Sequence, residues 1–305
     1  MLWLTWRQHR LAAFTIAVAL GALGAILVAT GLPMRDAFQS GGAAGCGGRT
    51  TGDCAATIGQ FLDQYGRVGE RLVPWLNFVP ALMGVFVGAP LLARELEQGT
   101  YRLVWTQAVS RRRWLAVQLT AMAALTLAAA VAFAALMTWW LWPLDRLEGS
   151  FVPRAFDFEG PVVVAYFLCS FALGAAVGVV CRRVVVAMAV TLAGFLAIRL
   201  PIELWARPRY RPPLRSTLPM SASKADLAGS GSGAWVLDSG FLDRAGHVLH
   251  SISQQQVQGG GVVRWLQYQP ADRLATFQTT ETALFAGLAV AFIGLALAWV
   301  RWRLA

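Results

Sequence analysis

Charged and sulfur-bearing residues are sparse in this chain, so the few that stand close together carry most of the chemical information. Arg199 and Glu203, in IRLPIELW, are four residues apart and can pair on one face of a helix, although Pro201 between them opposes a regular one. Cys46 and Cys54 share CGGRTTGDC, whose glycines would let a small disulfide loop close in an oxidising compartment; free thiols are the alternative. Asp157 and Glu159 are spaced like an acid–base pair, but they lie between apolar runs and read as solvated loop carboxylates. His247 and His250, in HVLH, come nearest to a metal set. Zinc needs four ligands, and no obvious four-ligand set with thiol or carboxylate companions accompanies them, so they read as surface histidines and no metal site is expected. Lys224, the single lysine, sits in SASKADL and lacks the G-x-x-x-x-G-K-[ST] frame in which backbone amides and a lysine hold nucleotide phosphates.

The elements that must position these residues are set by hydropathy. Of 305 residues, 57% are hydrophobic and 14% charged, against about a quarter charged in soluble domains. The apolar residues lie in unbroken runs rather than at helical or strand spacing, which argues against a pair of soluble domains. A bilayer core about 30 Å thick needs roughly 20 apolar residues as a helix, with every backbone group bonded internally. Six segments qualify: Leu11 to Leu32, Leu72 to Ala93, Trp114 to Thr138, Pro161 to Cys181, Val184 to Trp205 and Thr282 to Val300. The first exceeds the about 7–15 residues of a secretory signal and reads as a retained span. Cys169 and Cys181 fall in the fourth and read as small core residues.

Arginine placement predicts sidedness. With a cytoplasmic N-terminus, the inner face collects Arg7, Arg10, Arg94, Arg102, Arg111 to Arg113, Arg182, Arg183, Arg301 and Arg303, opposed only by Glu95 and Glu97. Basic residues in short loops decide orientation, so the Arg182-Arg183 hairpin and the Arg111 to Arg113 cluster weigh most. The expected fold is an all-α polytopic membrane protein with six transmembrane helices and both termini cytoplasmic. An external loop covers 33–71, and a larger external segment covers 206–281. These arginines flank spans and form no soluble basic face, so the net charge of +10 does not point to nucleic acid.

RELEQGTYRLVWTQAVSRRR, residues 94–113, then faces the cytoplasm. Leu91 to Gln98 extend the second span as a helix, and Gly99 suits the left-handed residue that ends one. Thr100 can cap a short helix, Tyr101 to Gln107, before Ser110 caps the third span. Tyr101, Leu103, Val104 and Trp105 are too apolar for a solvated loop. They suit either an interfacial helix anchored by Trp105 and Arg102 or a docking knob for a cytoplasmic partner.

The six-span order, WLTWRQHR before the first span and LLARELEQGTYRLVWTQAVSRRRWL between the second and third resemble permease subunits of ABC-2 type transporters, type V exporter-like, with actinobacterial members most similar. The resemblance implies one permease domain over 1–305. It implies a cytoplasmic coupling region at 94–113 in which Glu95, Gly99, Thr100, Tyr101, Arg102, Leu103, Val104 and Trp105 meet a separate ATP-hydrolysing subunit. It also implies an interfacial elbow helix at 1–10 built on Trp3, Trp6, Arg7 and Arg10; by itself that segment fits an ordinary juxtamembrane anchor equally well. ATP and Mg would then be held by the partner ATPase and no cofactor by this chain. A second permease subunit would make a homodimer in the plasma membrane, exporting a hydrophobic or amphipathic compound.

Other features define alternatives. Pro74, Pro80 and Pro90, with Gly84 and Gly88, should kink the second span. Gly84/Gly88 and Gly174/Gly178 match G-x-x-x-G, weak evidence for a dimer face in so glycine-rich a chain. Arg199 and Glu203 read first as an ion pair snorkelling to the outer interface, and otherwise as a gate at the outer mouth or a substrate contact. In 206–281, proline and glycine mark turns rather than a continuous sheet, and Pro270 can begin a helix leading into the last span. Such a segment fits a lid over the exit, or the sensing loop of a non-transporting membrane signalling subunit. The spans lack the polar constellation of a membrane enzyme, and no midplane ionisable group or internal repeat suggests an ion-driven transporter.

Overall fold

The computed structural model describes residues 2–46, 53–99, 111–149, 151–219, 233–243, 246–249 and 262–303. Among the described residues, six helical segments are long and apolar enough to cross a membrane: Arg10–Ser40, Ala56–Gln98, Leu115–Glu148, Pro161–Cys181, Val184–Arg209 and Ala271–Trp302. They correspond one for one to the six apolar runs, and the membrane part is all-α.

The first span is α1, Leu2–Ser40. It is helical without interruption from its start, so residues 2–10, the expected elbow, are continuous with the helix that forms the span. The expected 33–71 loop is also largely helical. After α1 come α2, Ala43–Cys46, and α3, Asp53–Phe61. A π turn, Leu62–Gly66, leads to α4, Arg67–Leu76. Cys46 and Cys54 form a disulfide between α2 and α3, with Cα atoms 5.5 Å apart.

The second span is segmented where its prolines and glycines fall. After α4 the chain makes a turn at Asn77 and Phe78, continues as α5, Val79–Met83, then a π turn, Gly84–Gly88, and α6, Ala89–Gln98. Pro80 has no N–H to return to Leu76, so the break there follows from covalent structure. α6 ends at Gly99, which is left-handed at φ 69°, a conformation that costs a side-chain-bearing residue about 1–2 kcal/mol.

The third span is α7, Arg111–Glu148, followed by a one-turn helix α8, Pro153–Phe156. The fourth is α9, Pro161–Cys181, buried along most of its length. Arg182 and Arg183 form a two-residue turn into α10, Val184–Pro201, which runs through a π turn, Ile202–Ala206, into a 3-10 turn, Arg207–Arg209. The last span is α11, Leu274–Arg303, preceded by a 3-10 turn at Ala271–Arg273 with Pro270 at its N-cap. The helix start at Pro270 therefore stands where the sequence placed it.

Both G-x-x-x-G motifs are used within the chain, against each other. A Cβ on Gly88 would stand 3.2 Å from the Gly174 Cα, and one on Gly174 would stand 2.7 Å from the Ala89 nitrogen. The segmented second span and α9 thus pack backbone to backbone, which only glycine permits.

The segment between the fifth and sixth spans corrects the sequence reading. It contains an antiparallel sheet of β1 (Leu214–Pro219), β2 (Trp235–Asp243), β3 (Val248–Leu249) and β4 (Val262–Gln269), in the order β1-β4-β2-β3. Glycines mark the connections between strands and most of the prolines flank the sheet, while β1 pairs with β4 across more than forty residues of sequence, Leu214 opposite Tyr268 and Pro219 opposite Val263. Local punctuation cannot reveal so distant a pairing. The sheet is seated on the helices by an aromatic cluster in which Trp235 meets Phe151 and Phe277 edge-on, at 5.8 and 6.3 Å between centroids.

Candidate functional site

The expected ion pair at the end of α10 is part of a larger buried cluster. Arg199 is 4% exposed, so it does not snorkel to the interface. Its Nη2 stands 2.8 Å from Asp157 Oδ1 and only 3.8 Å from Glu203, the partner expected from sequence. Asp157 is 3% exposed, not solvated as its loop position suggested. Arg207, immediately after the π segment, donates through Nη2 to Asp157 Oδ1 at 2.7 Å and to Glu281 Oε1 at 2.8 Å, and through Nε to Glu281 Oε2 at 2.9 Å. Tyr166, in α9, donates its hydroxyl to Glu281 Oε1 at 2.6 Å and accepts from Arg207 Nη2 at 3.2 Å. Its ring also carries the Arg199 guanidinium, 3.7 Å above the centroid.

The members come from four stretches of chain. Asp157 follows α8, Tyr166 lies on α9, Arg199 and Arg207 bracket the end of α10, and Glu281 lies on α11. The cluster therefore ties the ends of the fourth, fifth and sixth spans together, beside the sheet. Two more contacts extend the tie. Gln278 donates to the Glu159 carbonyl at 3.2 Å, and buried Gln269, at the end of β4, donates to the Arg211 carbonyl at 2.7 Å.

Desolvating an ion costs several kcal/mol, and mutual attraction offsets this only when charges and hydrogen bonds are matched. Here two guanidiniums face two fully buried carboxylates, and the tyrosine hydroxyl supplies the remaining donor. Burial alone would raise the Asp157 pKa, but Arg199 and Arg207 outweigh it and hold the carboxyl below its ordinary range. A depressed folded-state pKa means Asp157 stabilises the fold fully above its unfolded value, about 3.9. That stability is lost as pH falls through the lower folded value. The melting temperature of the chain in lipid nanodiscs is thus expected to show no loss through Asp157 from neutral pH to about 5. A loss traced to Asp157 by comparison with Asp157→Asn already at pH 6 would contradict the pairing.

Beside the opposite ends of α9 and α10 lies the region expected to couple. Glu95 and Gly99 are at the end of α6; Thr100, Tyr101, Arg102, Leu103, Val104 and Trp105 lie outside the described residues. Glu95 accepts from Gln118 Nε2 on α7 at 3.2 Å. Trp3, Trp6 and Arg7 fall on the first turns of α1, and Arg10 is exposed. His247 is exposed and pairs with Asp243 at 3.2 Å, and His250 lies outside the described residues. Among the described residues no group of three or more His, Cys, Asp or Glu is placed to hold a metal ion.

A family model for ABC-2 membrane transporter related proteins matches residues 17–207, more than half of the chain. The chain belongs to that family. It is an ABC-2 type permease, a multi-pass protein of the plasma membrane, and its family associates with an ABC ATPase. Searches of curated proteins and of solved structures found no match. The matched region of this ABC-2 permease includes Asp157, Tyr166, Arg199, Glu203 and Arg207 and ends before the sheet and Glu281. A transporter family does not favour the sensing alternative.

Asp157, Tyr166, Arg207 and Glu281 were missed as site residues by sequence reasoning. The available signal was topological: each lies at or near the same-side end of an apolar run, so equal numbers of acids and arginines could have been matched across spans.

Proposed function

We propose that this chain forms one half of an export path for a hydrophobic or amphipathic compound and is driven by a separate ATPase that binds ATP and Mg. Residues 94–113 receive the ATPase, with the segment from Thr100 to Trp105 seated against it and the first turns of α1 alongside. A second copy of the chain supplies the other wall. The observation that carries this reading is the family match over residues 17–207. It is supported by the left-handed end of α6 at Gly99, immediately before the polar segment. ATP-driven closure of the ATPases would displace that segment, and the bundle would rock between two arrangements.

Co-purification with an ATPase encoded beside this gene, in lipid, tests the reading. Leu103→Asp combined with Trp105→Asp is expected to abolish complex formation and to lower ATP turnover to that of the ATPase alone, because two charges replace the apolar contact. Unchanged complex and turnover would remove the coupling assignment.

A further inference from the structure

Glu97, in the last turn of α6, makes a contact that the proposed docking leaves unused. Its Oε2 accepts a hydrogen bond from the backbone N–H of Val184 at 2.9 Å. Val184 is the first residue of α10, and the N-cap of that helix, Arg183, provides no side-chain bond. The first N–H groups of a helix have no partner within it, and the positive end of its dipole favours a carboxylate. Glu97 thus caps one span from another, two residues before α6 turns at Gly99 toward the polar segment.

The surroundings make this junction stiff. Ala89 and Ala93 on α6 and Ala187 on α10 are fully buried together, with Val177 and Cys181 of α9 packed against them. A Cβ on Gly178 would stand 3.3 Å from the Ala93 nitrogen. Backbones in such proximity leave no long side chains to absorb a displacement. The turn between α9 and α10 is also short, with Arg182 left-handed at φ 56° and its N–H bonded to the Gly178 carbonyl at 3.1 Å.

The far end of α10 carries Arg199 and, past the π turn, Arg207 into the buried cluster. From Val184 to Arg199 the helix rises roughly 23 Å. We infer that Glu97 is a positioning residue that fastens the ATPase-facing end of α6 to α10, and that α10 acts as a rod linking this cap to the Asp157–Arg207–Glu281 cluster. Loosening either end loosens the other. The inference rests on the permease reading only for what pushes the rod; the linkage belongs to the chain itself.

Hydrogen exchange of the full chain in lipid nanodiscs tests it. Glu97→Ala is expected to speed amide exchange at residues 184–187 roughly fivefold, the scale of a lost cap, and to speed exchange at residues 202–210 as well. Glu97→Gln keeps an acceptor oxygen and is expected to restore most of both. Linkage is reciprocal, so Tyr166→Phe, which removes the hydroxyl on Glu281, is expected to speed residues 184–187. Faster exchange confined to 184–187 in Glu97→Ala, or no response there to Tyr166→Phe, would overturn the rod. The measurement needs no ATPase, so failure of an ATPase to bind would remove the coupling reading while this exchange pattern still decides the linkage.

Discussion

Arg207→Met is expected to destabilise the permease by about 3–5 kcal/mol, because it leaves the buried Glu281 carboxylate without its main partner and Asp157 with one guanidinium fewer. Arg207 gives Glu281 two hydrogen bonds, at 2.8 and 2.9 Å, and gives Asp157 one at 2.7 Å. Arg199 remains, but its own contact with Glu281 is 3.4 Å, too long to replace the lost bonds. Methionine has about the right volume and supplies no donor, so the cost is electrostatic rather than a cavity. The double variant Arg207→Met with Glu281→Met should recover part of the loss, since removing both charges leaves less uncompensated burial. Thermal melting in lipid nanodiscs measures this, with Arg146→Met as an exposed control. An Arg207→Met protein as stable as the control would show that the cluster contributes nothing to holding the span ends together.

Gly174→Leu is the second large effect. The position faces the second span, where an added Cβ would stand 2.7 Å from the Ala89 nitrogen and 3.0 Å from the Gly88 carbonyl carbon. Those are backbone atoms of a packed helix and cannot rotate away. Overpacking a core costs about 1–3 kcal/mol when side chains can shift; here whole helices must separate, which also breaks the contacts of Gly84 and Gly88 with α9. The folded, monodisperse fraction in mild detergent should collapse. Gly287→Leu, on α11, meets nothing within 4 Å and should be tolerated. Equal recovery of the two variants would mean that the glycine faces do not bear on each other.

The two predictions differ in how legible their residues were. Gly84, Gly88, Gly174 and Gly178 announce a close approach by spacing, yet spacing does not name the partner. Only the fold shows that the two motifs meet inside one chain, because the three-dimensional path sets the fourth span beside the second. The charged cluster was less legible still. Arg199 and Glu203 stood out through i, i+4 spacing, but that pair is the longest of the ion contacts to Arg199, at 3.8 Å against 2.8 Å to Asp157. A helical period shows which residues can meet on one element and is silent about acids delivered by two others.

Composition and local stereochemistry by themselves determined the six spans, the breaks at Pro80 and Gly99, and the helix start at Pro270. Each follows from hydropathy over about 20 residues or from one residue's backbone limits, and needs no distant partner. The tertiary structure alone decided the β1–β4 pairing, the burial of Asp157 and the union of Arg199, Arg207, Tyr166 and Glu281. It also decided the cap that Glu97 places on the fifth span. All of these are contacts between residues far apart in the chain, where charge and hydrogen-bond satisfaction depend on what the fold brings alongside.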